Sequence, residues 1–190
     1  MNASRSHTST FSAAILIFLA FLASTGQALA ATAEEINKKV DATLERFKDD
    51  VQNADEYLSS AKGVLVVPDV RKVGFVVGGQ WGQGALRVGG KSVGYYRMDA
   101  GSVGFQAGYQ KASFLFLFLT EEALEKFRAA QGWTVGAESG ITVVTKGIGM
   151  SADTLKSQSP VVAFLIAKEG LMGGWSAKGT KFTKFEPAEK

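Results

Sequence analysis

The sequence predicts an α+β domain: a twisted antiparallel β-sandwich or partly closed barrel of about seven or eight strands, with an N-terminal amphipathic helix and one internal helix. Three observations predict it. Ile36, Val40, Leu44, Phe47, Val51, Ala54 and Leu58 recur every three or four residues and so line one helical stripe. From Val64 onward, short runs alternate bulky residues with glycine at the two-residue period of a strand. Ser113 to Leu119, SFLFLFL, is apolar on both faces and far too short to cross a bilayer as a helix, so it reads as the most buried strand.

In chain order, residues 1–30 read as a secretory signal peptide. Arg5 precedes an apolar stretch from Phe11 to Ala23, and Ala28-Leu29-Ala30 is a small-x-small site suited to cleavage before Ala31. Residues 31–60 form the amphipathic helix, with Thr32 and Glu35 as a capping box and a polar face of Lys38, Lys39, Glu45, Lys48, Asp49 and Asp50. That mixed polar face favours packing on the domain over insertion into a membrane.

Residues 61–186 follow as a glycine-rich β-domain. Val64 to Val67 read as a buried strand ended by Pro68, Asp69 to Lys72 as a turn, and Val73 to Gly78 as a second strand with one bulky and one bare face. Ala85 to Val88 and Lys91 to Met98 form a hairpin about Gly89-Gly90. Val103 to Gln110 alternates again, and its VGFQAGYQ resembles the VGFVVGGQ of Val73 to Gln80. Thr120 caps a helix through Ala130, with Leu124 and Phe127 facing inward. Thr134 to Val144 and Val161 to Ala167 are further strands, separated by a polar loop from Ser151 to Pro160. Phe182 and Phe185 cannot share a strand face, which predicts a bend or a frayed end there.

The AKGVLVVPDVRKVGFVVGG run from Ala61, the GQG at Gly82 to Gly84, and SVGFQAGYQKASFLFLFLTEEALEKF from Ser102 resemble the SYLF domain, also called the Ysc84 or DUF500 domain. The resemblance spans roughly Ile36 to Phe185. It implies a compact α+β domain without known catalysis, linked in eukaryotic members to phosphoinositide-containing membranes and to actin, and exported in bacterial members.

Composition excludes much chemistry. The chain has 21 basic and 18 acidic residues, and residues 1–30 hold one base (Arg5) and no acid, so the remainder carries 20 − 18 = +2. Those charges are interspersed, which is not the footprint of a nucleic-acid binder. There is no cysteine, and the single histidine, His7, lies in the signal segment. Thiolate or imidazole metal sites and Ser-His-Asp chemistry are therefore not expected beyond residue 30.

The motif matches fail on context. Gly90-Lys91-Ser92-Val93-Gly94 fits G-x-S-x-G but sits in a hairpin and lacks a histidine to activate Ser92. Ser59 to Lys62 fits S-x-x-K without its companion motifs. A Walker A loop ending at Ser92 would need glycine where Ala85 stands, and the dinucleotide fingerprint begun at Gly82 ends on Arg87. No catalytic residue, metal ligand or cofactor is expected.

What remains is a set of cations near the glycine-rich hairpins. Arg71, Lys72, Arg87, Lys91 and Arg97, with Trp81 as an interfacial aromatic, suit an anionic lipid surface. The expectation is a non-enzymatic cell-envelope protein that binds anionic lipid headgroups peripherally, exported to the periplasm or to the outer membrane or cell surface. The alternative is a protein-interaction or structural module with an envelope, host or actin-like partner.

Overall fold

The computed structural model describes residues 31–74, 77–103, 108–130, 132–136, 140–144, 151–167, 175 and 177–189. The signal-peptide reading of residues 1–30 lies outside them, as do residues 104–107 of the strand expected over Val103 to Gln110. Residues 31–190 form one compact unit.

The amphipathic stripe folds as two helices, α1 (Ala33–Asp50) and α2 (Ala54–Ser60). The capping box at Thr32 is present. Its Oγ accepts from the Glu35 N–H at 3.3 Å, while the Glu35 carboxylate accepts from the Thr32 N–H at 3.1 Å. Between the helices, Asn53 stands at φ +61° in the left-handed region and breaks the run.

Eight strands follow: β1 (Gly63–Gly74), β2 (Val77–Val88), β3 (Lys91–Val103), β4 (Gly108–Phe118), β5 (Trp133–Thr134), β6 (Ile141–Val144), β7 (Val161–Ala167) and β8 (Lys181–Phe185). Helix α3 (Glu121–Ala129) lies between β4 and β5, and α4 (Ala152–Gln158) between β6 and β7. The strands form a single sheet ordered β5-β8-β3-β2-β1-β4-β7-β6, antiparallel except for the parallel pair β6 and β7. The architecture is the curled, partly closed barrel rather than the sandwich.

Its curvature follows from two ring contacts. In a flat sheet β4 and β8, four strands apart, would be separated by roughly 19 Å. Yet the Phe116 and Phe182 rings meet edge-on at 5.0 Å, and Trp133 of β5 comes within 6.2 Å of Phe118. Those side chains occupy the concave side, with Leu65, Val67, Leu86, Met98 and Phe114, and with Leu124 and Phe127 of α3. The convex side buries Val64, Val66, Leu115, Leu117, Val162 and Phe164 beneath Ile36, Val40 and Phe47 of α1, Tyr57 of α2 and Leu155 of α4. Each such large apolar side chain contributes about 1.5–3 kcal/mol on burial. With both faces covered, every residue of β7 is buried, as is the apolar run of β4.

Several expectations need correction. Pro68 does not end its strand, and Asp69 to Lys72 do not form a turn: β1 continues through them with one extra residue against both β2 and β4. This is a β-bulge, where a residue without an N–H costs no ladder bond. Asp69 takes φ +50°, and its N–H donates to Ser113 Oγ at 3.3 Å. Gly84 admits the bulge, since a Cβ there would lie 1.9 Å from the Val66 carbonyl oxygen. Consequently Val73 and Gly74 close β1 and Gly78 of β2 pairs back against Gly74, so the expected second strand is divided between β1 and β2, with residues 75 and 76 outside those described.

The polar stretch at 151–160 is not a loop throughout. Ser151 Oγ accepts from the Thr154 N–H at 3.3 Å and starts α4, which buries Ala152 and Leu155. Two apolar positions in seven residues give too little periodicity to read. Finally, β8 is neither bent nor frayed by its phenylalanines: Phe182 enters the concave core, and Phe185 packs at the edge of the convex one.

Candidate functional site

The three convex-side helices cover only the part of the sheet nearest the β2–β3 turn. Toward the other end of the strands no described helix covers the convex face, and its residues are exposed or partly exposed. Directly paired residues share a face, so one row runs Lys111 (β4), Arg71 (β1), Trp81 (β2), Asp99 (β3) and Lys181 (β8), all exposed. The neighbouring row is Tyr109, Val73, Gly79 and Gly101. On the other side lie Gln83, Arg97 and Thr183.

This surface combines large exposed apolar groups with unbalanced charge. Trp81 is 42%, Val73 43% and Tyr109 56% exposed, three of the most exposed large hydrophobic side chains described. Arg71, Arg97, Lys111 and Lys181 supply four cations against the single carboxylate of Asp99. Among the described residues none of the five forms an ion pair. The Lys111 ammonium lies 6.0 Å from the Tyr109 ring centroid, close enough for a cation–π contact.

The six residues singled out from the sequence do not stay together. Arg71, Trp81 and Arg97 share the open convex face. Lys72 points the other way, because strand neighbours alternate: it is buried on the concave side with its ammonium 5.6 Å from the Trp175 ring centroid. Burial holds its pKa below the ordinary lysine value. Arg87 is committed to the fold. Its Nη2 donates to Asp41 Oδ1 of α1 at 2.5 Å, its Nη1 donates to the Gly90 carbonyl at 3.3 Å, and the side chain is only 15% exposed. Lys91 is exposed at the β2–β3 turn, where it pairs with Val88, about 23 Å along the strand from Trp81 by the usual rise per residue.

Lys111, Lys181 and Tyr109 were missed from sequence. They sit 30 or more residues from Arg71 in the chain, and only strand register brings them to its side. Nothing in local spacing signals that.

Ser92, at the rejected nucleophile motif, has a packing role: its Oγ donates to Asn37 Oδ1 at 2.7 Å, while Asn37 Nδ2 donates to the Tyr95 hydroxyl at 3.0 Å. Both contacts fasten α1 to β3. A cavity of about 740 Å³ opens between α1, α2 and the β2–β3 turn. Its rim mixes Asp41, Glu45 and Asp55 with Lys48, Lys62 and Arg87, so the charges offset one another. A shallower depression of about 360 Å³ lies at the open face, bordered by Gly79, Trp81, Asp99, Gly101 and Gly179. Among the described residues no three His, Cys, Asp or Glu side chains gather as a metal site, and no helix is long and apolar enough to cross a membrane.

No curated protein matches the chain. Residues 99–189, from the last part of β3 through β8, match the family model Ysc84, described as Las17-binding protein actin regulator. The matched stretch holds Asp99, Tyr109, Lys111 and Lys181 of the open face, together with the apolar run of β4. Over that stretch, 91 of the 190 residues, the chain is similar to the Ysc84 (SYLF) domain, in agreement with the resemblance read from the sequence.

Proposed function

We propose that the protein is a non-enzymatic, peripheral binder of anionic membrane lipids, acting through the open convex face. The observation that carries this reading is the grouping of Arg71, Arg97, Lys111 and Lys181 around exposed Trp81, Tyr109 and Val73. Cations draw the face to negatively charged headgroups, each contributing on the order of 1 kcal/mol near the surface. The aromatics then settle at the polar–apolar boundary. Arg71, Trp81 and Arg97 keep their place in this site, Lys111, Lys181 and Tyr109 join it, and Lys72, Arg87 and Lys91 leave it.

The location proposed is outside the cytoplasm, in the periplasm or at the outer membrane or cell surface. It rests on the signal-like composition of residues 1–30. Intact-mass measurement of protein recovered from the envelope is expected to give a chain that begins at Ala31. A full-length species alone would remove the export reading.

Flotation with vesicles tests lipid binding. Recovery is expected to rise with the fraction of phosphatidylglycerol and to fall with salt, because screening lengths shrink from about 30 Å at 0.01 M to about 10 Å at 0.1 M. Failure to float with phosphatidylglycerol vesicles at low salt would end the lipid proposal. The family description as a Las17-binding protein favours a second reading, a protein-interaction module. Under that reading Arg71→Glu and Lys111→Glu abolish capture of a stoichiometric protein partner and leave vesicles unaffected.

A further inference from the structure

The open face carries one carboxylate amid four cations, and its setting is specific. Asp99 stands directly across from Trp81 on the neighbouring strand. One pair further along the same face come Gly79 and Gly101, also directly opposed, so the sheet has no side chain there. A Cβ added at Gly101 would meet nothing within 4 Å, and one at Gly79 would touch only the Ala100 carbonyl at 3.9 Å and Trp81 Cε3 at 4.0 Å. The indole therefore leans over a bare shelf. The result is the depression of about 360 Å³, with an aromatic wall, a glycine floor and an acid beside it.

Among the described residues, no cation of the protein is seated over Trp81 in this notch. Lys181 lies opposite Asp99 in the register, but its chain runs toward Gly132, where an added Cβ would lie 3.2 Å from Lys181 Cε and 4.0 Å from its Nζ. Cation–π contacts within 6 Å occur at Trp175 and Tyr109, with none at Trp81 among the described residues. An exposed indole face beside an unpaired carboxylate is the chemistry that receives an alkylammonium ion. A simple cation would be repelled by Arg71, opposite Trp81 on β1, and by Arg97, two residues from Asp99 on β3. A zwitterion would not, since its phosphate meets those guanidinium groups while its ammonium enters the notch.

We propose that the Trp81–Asp99 notch, floored by Gly79 and Gly101, binds the alkylammonium end of a zwitterionic phospholipid headgroup whose phosphate is held by Arg71 and Arg97. This rests on the lipid reading for the source of the headgroup and adds to it a choice among headgroups.

The test has a soluble arm and a vesicle arm. The protein is titrated with phosphocholine and with glycerol phosphate, which shares the phosphate monoester but has no ammonium, while the Trp81 indole N–H resonance is followed. Phosphocholine is expected to saturate the shift at about threefold lower concentration, the scale of an exposed cation–π contact, and Asp99→Asn or Trp81→Leu removes the advantage. Equal titration by both compounds, no shift by either, or an advantage that survives Asp99→Asn overturns the notch. In the second arm, vesicles carry a fixed fraction of phosphatidylglycerol in either phosphatidylcholine or a neutral glycolipid. A preference for phosphatidylcholine, lost in Asp99→Asn, supports the inference. Equal flotation with both refutes the lipid headgroup as occupant while leaving anionic binding intact. Flotation with neither refutes the lipid reading itself and, with it, this source of the ammonium.

Discussion

Arg87 on β2 and Asp41 on α1 are joined by a 2.5 Å charge-assisted hydrogen bond that ties the first helix to the sheet. The arginine is mostly buried, whereas the aspartate remains 65% exposed. The arginine Nε is enclosed without an acceptor among the described residues, so the guanidinium depends on Asp41 and on the Gly90 carbonyl. Asp41→Asn is expected to cost about 1–2 kcal/mol, below the value for a fully buried pair because solvent screens the exposed carboxylate. Urea denaturation measures it. Vesicle binding should be unchanged, since neither residue reaches the open face.

Charge reversal separates the two ends of the sheet. Lys111→Glu and Arg71→Glu are expected to weaken flotation with anionic vesicles by about tenfold each, as a cation is lost and a repulsive charge gained. Lys91→Glu should have almost no effect, because it stands at the far turn. Equal effects at Lys91 and Lys111 would mean that overall charge, rather than this face, governs binding.

Glycines of one sheet should differ sharply in what they tolerate. Gly84→Ala drives a Cβ into the Val66 carbonyl and the bulge backbone, and is expected to destabilise by more than about 3 kcal/mol. Gly101→Ala meets open space and should alter stability by less than about 0.5 kcal/mol. Denaturation midpoints decide both. The folded Gly101→Ala protein also narrows the notch, so its response to phosphocholine should diminish while its response to glycerol phosphate persists.

Lys72 sets a pH dependence. Its pKa is lowered in the folded protein by burial, so between that value and the ordinary 10.5 the unfolded chain binds more protons. Stability relative to Lys72→Met should therefore rise as pH climbs through this window, with the cost of burying the charge fully present below it. Tyr57 and Tyr96, whose pKa values burial raises, contribute with the opposite sign. Subtracting the variant's stability curve cancels them, and a difference that stays flat from pH 7 to pH 11 would contradict the assignment.

Local pattern made much of the fold legible. The capped stripe of α1, the Gly89-Gly90 turn, with both residues at positive φ, and the doubly apolar run of β4 are visible because each depends on neighbours within a few residues. Where a feature is set by a distant partner, the reading failed. Pro68 marks a strand end on sequence alone, yet it lies in a bulge that Gly84 of another strand makes room for. Helix α4 has its own serine cap, but its two inward residues show as such only against the convex core.

The candidate site divides in the same way. The residues by themselves determined that cysteine and, beyond residue 30, histidine chemistry is absent, that the chain is rich in glycine-bearing strands, and that cations accompany Trp81 near the hairpins. Tertiary structure alone decided which cations stand together. Strand alternation sends Arg71 and Lys72 to opposite faces, a helix claims Arg87, and register places Lys111 and Lys181 in the row of Trp81. Those outcomes depend on pairings between residues far apart in the chain, and a single bulge changes them, so no short stretch of sequence contains them.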